Sequence, residues 1–218
     1  MSGLREQILG RIAGANARDS KKPVSLADQP ADVQARLNNP QRHTLPKVAD
    51  DATAQLIERM ESVQMSVVRL QTSSEIVSAV EWYLESMGID GSVTVSPALQ
   101  GHPWSETVRA GAATGDELTS VTPCLAAVAE TGSVVMASGE KTPATLNFLP
   151  ENHIVVVYES QVVSHVDDVF PLLRALQSPP RVLNFVTGPS RTGDIEQTIE
   201  IGAHGPRRMH VLLVASDQ

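Results

Sequence analysis

The chain has 218 residues, 17 Lys and Arg against 25 Asp and Glu, and a formal net charge of -8 at pH 7. That length suits one domain with an appended arm. The acidic balance excludes a nucleic-acid backbone or a bare anionic membrane surface as the main partner, because both are bound by clustered Lys and Arg. A single cysteine, Cys124, excludes an internal disulfide and any all-cysteine metal site. No stretch approaches the ~20 apolar residues of a membrane span, and the first residues lack a signal-type apolar segment, so a cytoplasmic location is expected.

In chain order, Leu4, Ile8, Leu9 and Ile12 fall at helical spacing and predict a short N-terminal helix with one apolar face. Pro23, Pro30, Pro40 and Pro46 then punctuate a polar stretch that reads as an extended arm or an ordered strap. Residues 1–50 are therefore set apart from a domain over 51–218. The segment Asp51–Leu70 predicts one helix, from Leu56, Ile57, Met60, Val63, Val67 and Val68. Thr72 and Glu75 have capping-box spacing and open a second helix, which Gly88 closes.

After Gly91 the texture changes to short apolar runs: Val93–Val95, Val134–Ala137, Ile154–Tyr158, Val182–Val186 and Met209–Ala215. Runs without polar alternation are what strands covered on both faces of a parallel sheet look like. Helices are predicted between them over Pro123–Glu130, Val166–Leu176 and Thr192–Ile201. The expected fold is α/β, a mainly parallel sheet flanked by helices.

Three loops carry candidate chemistry. The first, Ala129–Ser133, leads into a strand that ends at Ser138 and Gly139; its small and hydroxylated residues, Thr131 and Gly132 among them, let backbone approach a ligand or serve as plain turn residues. The second, Thr187-Gly188-Pro189-Ser190-Arg191-Thr192-Gly193-Asp194-Ile195-Glu196, follows a strand and precedes the predicted helix. A glycine turn, hydroxyls, one Arg and a helix start form an anion cradle, although Ser190 or Thr192 could simply cap that helix. It matches neither the P-loop nor the dinucleotide fingerprint, nor the nucleophile elbow of hydrolases. The third, Gly202–Arg208, presents His204 among turn residues, as a general base or as a loop-fixing histidine. His153, His165 and His210 read as structural. None of the six histidines has metal-ligand spacing, so no metal is expected.

Together, Ala129–Ser133, Leu149–Val157, Gly188–Glu196 and Gly202–Arg208 resemble, in order and spacing, the LUD domain of the lactate utilization protein C family. The resemblance covers residues 93–215, and Ser133 stands where the family often has Thr. It implies a fold similar to the sugar-phosphate isomerase and CoA-transferase-like group (NagB/RpiA/CoA transferase-like). It also implies a component of an L-lactate oxidation system, forming pyruvate with iron–sulfur partner subunits. This chain would carry no cofactor, consistent with its lone Cys124.

Three roles remain open under that resemblance. One is an accessory subunit of that assembly, with a homo-oligomer also open. Another is an enzyme on a small carboxylate, phosphorylated or CoA-linked metabolite, with Glu130 as nucleophile, His204 as base and Arg191 as anion clamp. For Glu130 the alternative is a carboxylate at a helix end. The third is a sensor of a small anionic metabolite, built from Thr187, Gly188, Ser190, Arg191, Thr192, Asp194 and His204.

Overall fold

The computed structural model describes residues 3, 5–11, 30–38, 44–193 and 199–215. Two units divide the chain, Met1–Leu45 and Pro46–Gln218. In the first, residues 5–11 are helical, with Ile8 and Leu9 exposed. Helix α1, Ala31–Asn38, opens where the carbonyl of Pro30 accepts from Gln34 N–H. A proline just before a helix is tolerated because no helical donor is lost there, so the proline-rich stretch holds a short helix rather than extended chain alone.

The second unit begins with α2, Ala52–Ser62, capped by Asp51, whose Oδ1 accepts from Ala54 N–H at 2.9 Å. Leu56 and Met60 are its buried residues. The helix expected to reach Leu70 ends here. Gln64 adopts φ +67°, and Met65–Leu70 becomes strand β1, in which the β-branched Val67 and Val68 gain a full ladder of partners. After β1, the N–H of Thr72 donates to Glu75 Oε1 as the capping box requires. Helix α3, Ile76–Met87, follows and stops at Gly88 with φ +60°.

The remaining elements are β2 Val93–Val95, β3 Arg109–Ala110, β4 Thr119–Pro123, β5 Ala126–Val128, β6 Ser133–Ala137, β7 Asn152–Tyr158, β8 Val162–Val163, α4 Val169–Ala175, β9 Leu183–Val186, β10 Arg191–Gly193, β11 Ile199–Ile201 and β12 Arg208–Val214. Six strands form a wholly parallel sheet in the order β1-β12-β7-β4-β2-β3. One face packs Leu70, Val95, Val121, Ile154 and Leu212 against Ile76, Val80 and Tyr83 of α3. The other packs Val155, Val157, Val211 and Leu213 against Leu56 and Met60 of α2 and against Ala127, Val134 and Met136. The last three belong to a second sheet, ordered β8-β5-β6-β9.

That second sheet corrects the helix predicted over Pro123–Glu130. Ala126 and Val128 face Val169 of α4, while Ala127 and Ala129 face the parallel sheet. Alanine has high helix propensity, yet here its small size lets a strand lie between two packed layers, and burial overrides propensity. The helix predicted over Thr192–Ile201 is also absent from the described residues: β10 and β11 pair antiparallel as a hairpin, Arg191 opposite Ile201 and Thr192 opposite Glu200. Asp194 and Glu196 lie outside the described residues.

Two histidines are built into the parallel sheet. His153 Nε2 shares a 2.7 Å hydrogen bond with Thr122 Oγ1, and His210 Nδ1 shares one of the same length with Ser66 Oγ. The His210 ring stacks on Tyr83 at 4.0 Å between centroids. Burial pushes both imidazoles down from the ordinary 6.5 to about 4, so both are neutral at pH 7. Because the folded-state pKa is depressed, their protonation favours the unfolded chain. The stability they permit is intact above pH 6.5 and is lost as pH falls from there towards 4. At pH 5 the loss should be about 2 kcal/mol per histidine. Urea unfolding at pH 7.5 and 5.0 should show that drop, and His210→Gln should remove about half of it; equal midpoints at both pH values would contradict the assignment.

Candidate functional site

The loop between β5 and β6 and the loop after β9 meet over the end of α2. Gly132, at φ +70°, lies so close to the helix that a Cβ would stand 2.7 Å from Arg59 Cβ and 2.8 Å from its carbonyl carbon. Gly188, at φ +93°, would place one 2.6 Å from the carbonyl oxygen of Val63. Only glycine allows both the left-handed backbone and this approach. Docked in this way, the loops join through hydroxyls. Thr131 Oγ1 and Ser133 Oγ share a hydrogen bond of 2.6 Å, and Ser133 Oγ and Thr187 Oγ1 share another of 2.6 Å.

A third loop closes on the second. Ser190 N–H donates to the carbonyl of Pro206 at 2.8 Å, and Gly202 N–H donates to the carbonyl of Ser190 at 2.9 Å. Gly205 faces the Ser190 side chain without room to spare. The backbone N–H groups of Arg207 and Arg208 both donate to the carbonyl of Glu151, which ties this loop to the start of β7. Thr131, Gly132, Thr187, Gly188 and Ser190 are thus gathered at one end of the second sheet, with Arg191 and Thr192 continuing into β10. His204 is exposed in the third loop, and Arg191 is exposed at the hairpin's start. The cradle expected there has no helix start at Thr192 to contribute a dipole; its donors are hydroxyls, loop backbone and Arg191.

Glu130 stands beside this cluster but is engaged elsewhere. Its Oε2 lies 3.3 Å from His165 Nδ1 and accepts from Val166 N–H at 3.2 Å. Asp168 Oδ2 accepts from His165 N–H in the same turn. The carboxylate therefore sits at the opening turn that leads into α4, where the peptide dipoles favour negative charge.

Ser138 and Gly139 are held apart from the other candidates. They stand beyond the far end of β6, with Ser138 five residue steps from Ser133, roughly 17 Å along the strand. There they line a cavity of about 740 Å³ between Pro123–Leu125 and residues 176–181. Sequence reasoning missed Ser133 as the middle hydroxyl and missed the end of α2 as the platform. The paired left-handed glycines were visible in sequence, but not what they approach. Among the described residues no three His, Cys, Asp or Glu side chains are placed to hold a metal ion, and no helix is long and apolar enough to cross a membrane.

Comparison with known proteins gives these loops a common frame. The family model for the LUD domain matches residues 116–214, a stretch from just before β4 to the end of β12 that contains all three loops. That stretch is similar to the LUD domain. Over similar lengths it resembles proteins named lactate utilization protein C. It is 35% identical over 95 residues to that of Deinococcus radiodurans, covering 43% of this chain and 45% of that protein. It is 32% identical over 91 residues to that of Geobacillus sp. (strain WCH70), covering 40% and 38%. For Bacillus subtilis (strain 168) the figures are 30% over 92 residues, 40% and 38%. The matched stretch spans about two fifths of these relatives. A crystal structure of a DUF162 family protein from Deinococcus radiodurans superposes with a TM-score of 0.58 at 22% identity, over 78% of this chain and 99% of that one, so the α/β fold is shared.

Within the stretch that matches the LUD-domain model, the hydroxyl chain and the two glycine contacts should act as one clamp. Ser133→Ala removes the middle hydroxyl from a site only 3% exposed and should cost about 1–2 kcal/mol. Gly132→Ala adds left-handed strain to a backbone clash and should cost about 2–4 kcal/mol. Urea denaturation of both variants checks the order; a neutral Gly132→Ala would mean that the loop does not seat on α2 in solution.

Proposed function

We propose that this chain is a lactate utilization protein C-like component of a cytoplasmic system that oxidises L-lactate to pyruvate, working with iron–sulfur partner subunits. The names borne by its relatives support a role in lactate utilization. The observation that carries the site assignment is the convergence of three LUD-domain loops through Thr131, Ser133, Thr187 and the Ser190–Pro206 contact. Redox centres are assigned to the partners because a chain with one cysteine, itself buried, has no four-cysteine cluster site of its own.

In this reading a small anionic metabolite is held where the loops meet. The Thr131–Ser133–Thr187 chain has one hydroxyl hydrogen left to donate and Ser190 supplies another, Gly132 and Gly188 allow close approach of backbone, and Arg191 supplies the positive charge that a carboxylate needs. His204, an exposed imidazole in the third loop, is the group suited to proton transfer. Glu130 keeps the first loop in place through His165 and the Val166 N–H.

The reading is tested in a strain deleted for this gene and growing on L-lactate. The full chain should restore growth, and a tagged copy should recover cysteine-rich iron–sulfur proteins. Arg191→Ala should lower lactate oxidation about tenfold or more while leaving partner recovery intact. Unimpaired lactate growth without the chain, or a tagged chain that recovers no iron–sulfur protein, would overturn it.

A further inference from the structure

Beyond the carboxyl end of β4, the chain turns through Cys124 and Leu125 into β5, and the cavity of about 740 Å³ opens beside that turn. In open α/β sheets the ends of parallel strands are where ligands gather. This cavity stands apart from the convergence of the LUD loops, at the other end of β6. It is therefore a separate question from the role proposed above.

Hydrogen bonds hold parts of the cavity's walls. Ser138 N–H donates to the carbonyl of Val182, and Val182 N–H donates to Ser138 Oγ, both at 2.9 Å, which staples one wall to the segment that follows Arg181. Thr142 Oγ1 donates to the carbonyl of Ala137. On the other side, Gln161 Nε2 donates to the carbonyl of Cys124 while its Oε1 accepts from Tyr158 N–H. Pre-formed cavities of about 300–1,000 Å³ are typical of sites for drug-sized ligands. This one is far larger than a three-carbon hydroxy acid requires.

Its chemistry is graded from floor to mouth. Leu125, Ala137, Leu176, Pro179 and Pro180 make most of the wall apolar. Cys124 is 8% exposed, and burial pushes its thiol up to about 12, so that surface carries no charge at pH 7. Among the described residues, Arg181 is the one charged residue that lines the cavity; it is exposed and has no ion-pair partner among them. A surplus cation at the mouth of an apolar cavity, in a chain of net charge -8, selects for negative charge at one end of a ligand.

We propose that this cavity is a second small-molecule site, for an organic anion that places an apolar body against Leu125, Ala137 and Leu176 and its acidic group on Arg181. The probe is 8-anilinonaphthalene-1-sulfonate, titrated by fluorescence into the full-length chain, with N-phenyl-1-naphthylamine as the same apolar body without the acid. The sulfonate should bind saturably at one site, and the uncharged analogue about tenfold or more weaker. Arg181→Glu should weaken the sulfonate by a similar factor, and Ser178→Trp should obstruct the mouth. Both positions are exposed, so the variants should keep the wild-type near-UV circular dichroism and urea midpoint. Phe170→Asp, on the exposed surface of α4 and outside the cavity, should change nothing. The proposal is overturned by absence of saturable binding, by binding that survives Arg181→Glu and Ser178→Trp, or by binding lost through Phe170→Asp instead.

Discussion

Strand β12 holds the second unit together, because it is hydrogen-bonded on both sides, to β1 through six residue pairs and to β7 through seven. Its side chains from Met209 to Val214 are buried on both faces. The first strand of the parallel sheet therefore has no neighbour until nearly the whole chain has been placed. Such pairings close long loops, and parallel sheets of this kind form slowly for that reason. The loop that ends in Arg207 and Arg208 feeds directly into β12 and is pinned to Glu151 at the start of β7. Insertion of this strand thus also brings the third loop against Ser190. The candidate site is completed by the same event that completes the sheet.

The parallel sheet is not uniformly apolar. Thr94, Ser120 and His153 stand opposite one another across β2, β4 and β7, each with no exposed surface. Ser120 Oγ donates to the carbonyl of Leu146 and Thr122 partners His153, whereas Thr94 Oγ1 and His153 Nδ1 have no hydrogen-bond partner among the described residues. The same face towards β12 and β1 carries Val155, Val157, Val211 and Leu213 instead. Buried polar groups stabilise only when paired, and paired ones specify a single register because a slip strands them without partners. Here the Thr122–His153 pair favours one register of β4 on β7, where Val-rich strands alone would pair in several ways.

How far the sequence could be read follows from the same physics. Val93–Val95, Val134–Ala137 and Ile154–Tyr158 were legible as strands because no polar alternation interrupts them, and the double burial they imply is observed. Gly88 and the Thr72–Glu75 pair were legible because caps are local. Helix periodicity failed at Gln64, since Val63, Val67 and Val68 satisfy a helical stripe and a strand alike until a partner strand is known. The hydroxyl and glycine loops were legible as loops. That they seat on the end of α2 was not, because a contact between residues 59 and 132, or 63 and 188, leaves no periodic trace.

The misread segment after β4 matters most for the site. As a helix, the six steps from Cys124 to Glu130 would advance about 9 Å. As extended chain they can span about 20 Å. Only the longer reach carries the backbone from the cavity at the end of β4 back across the sheet to where Glu130 meets His165 and Ser133 meets Thr187. The alanines at 126, 127 and 129 make that crossing possible, since a larger side chain on either face would push apart the parallel sheet or α4. Small residues buried between layers thus set the separation between the LUD loops and the cavity, and the tight packing on both faces of β5 and β6 keeps it fixed.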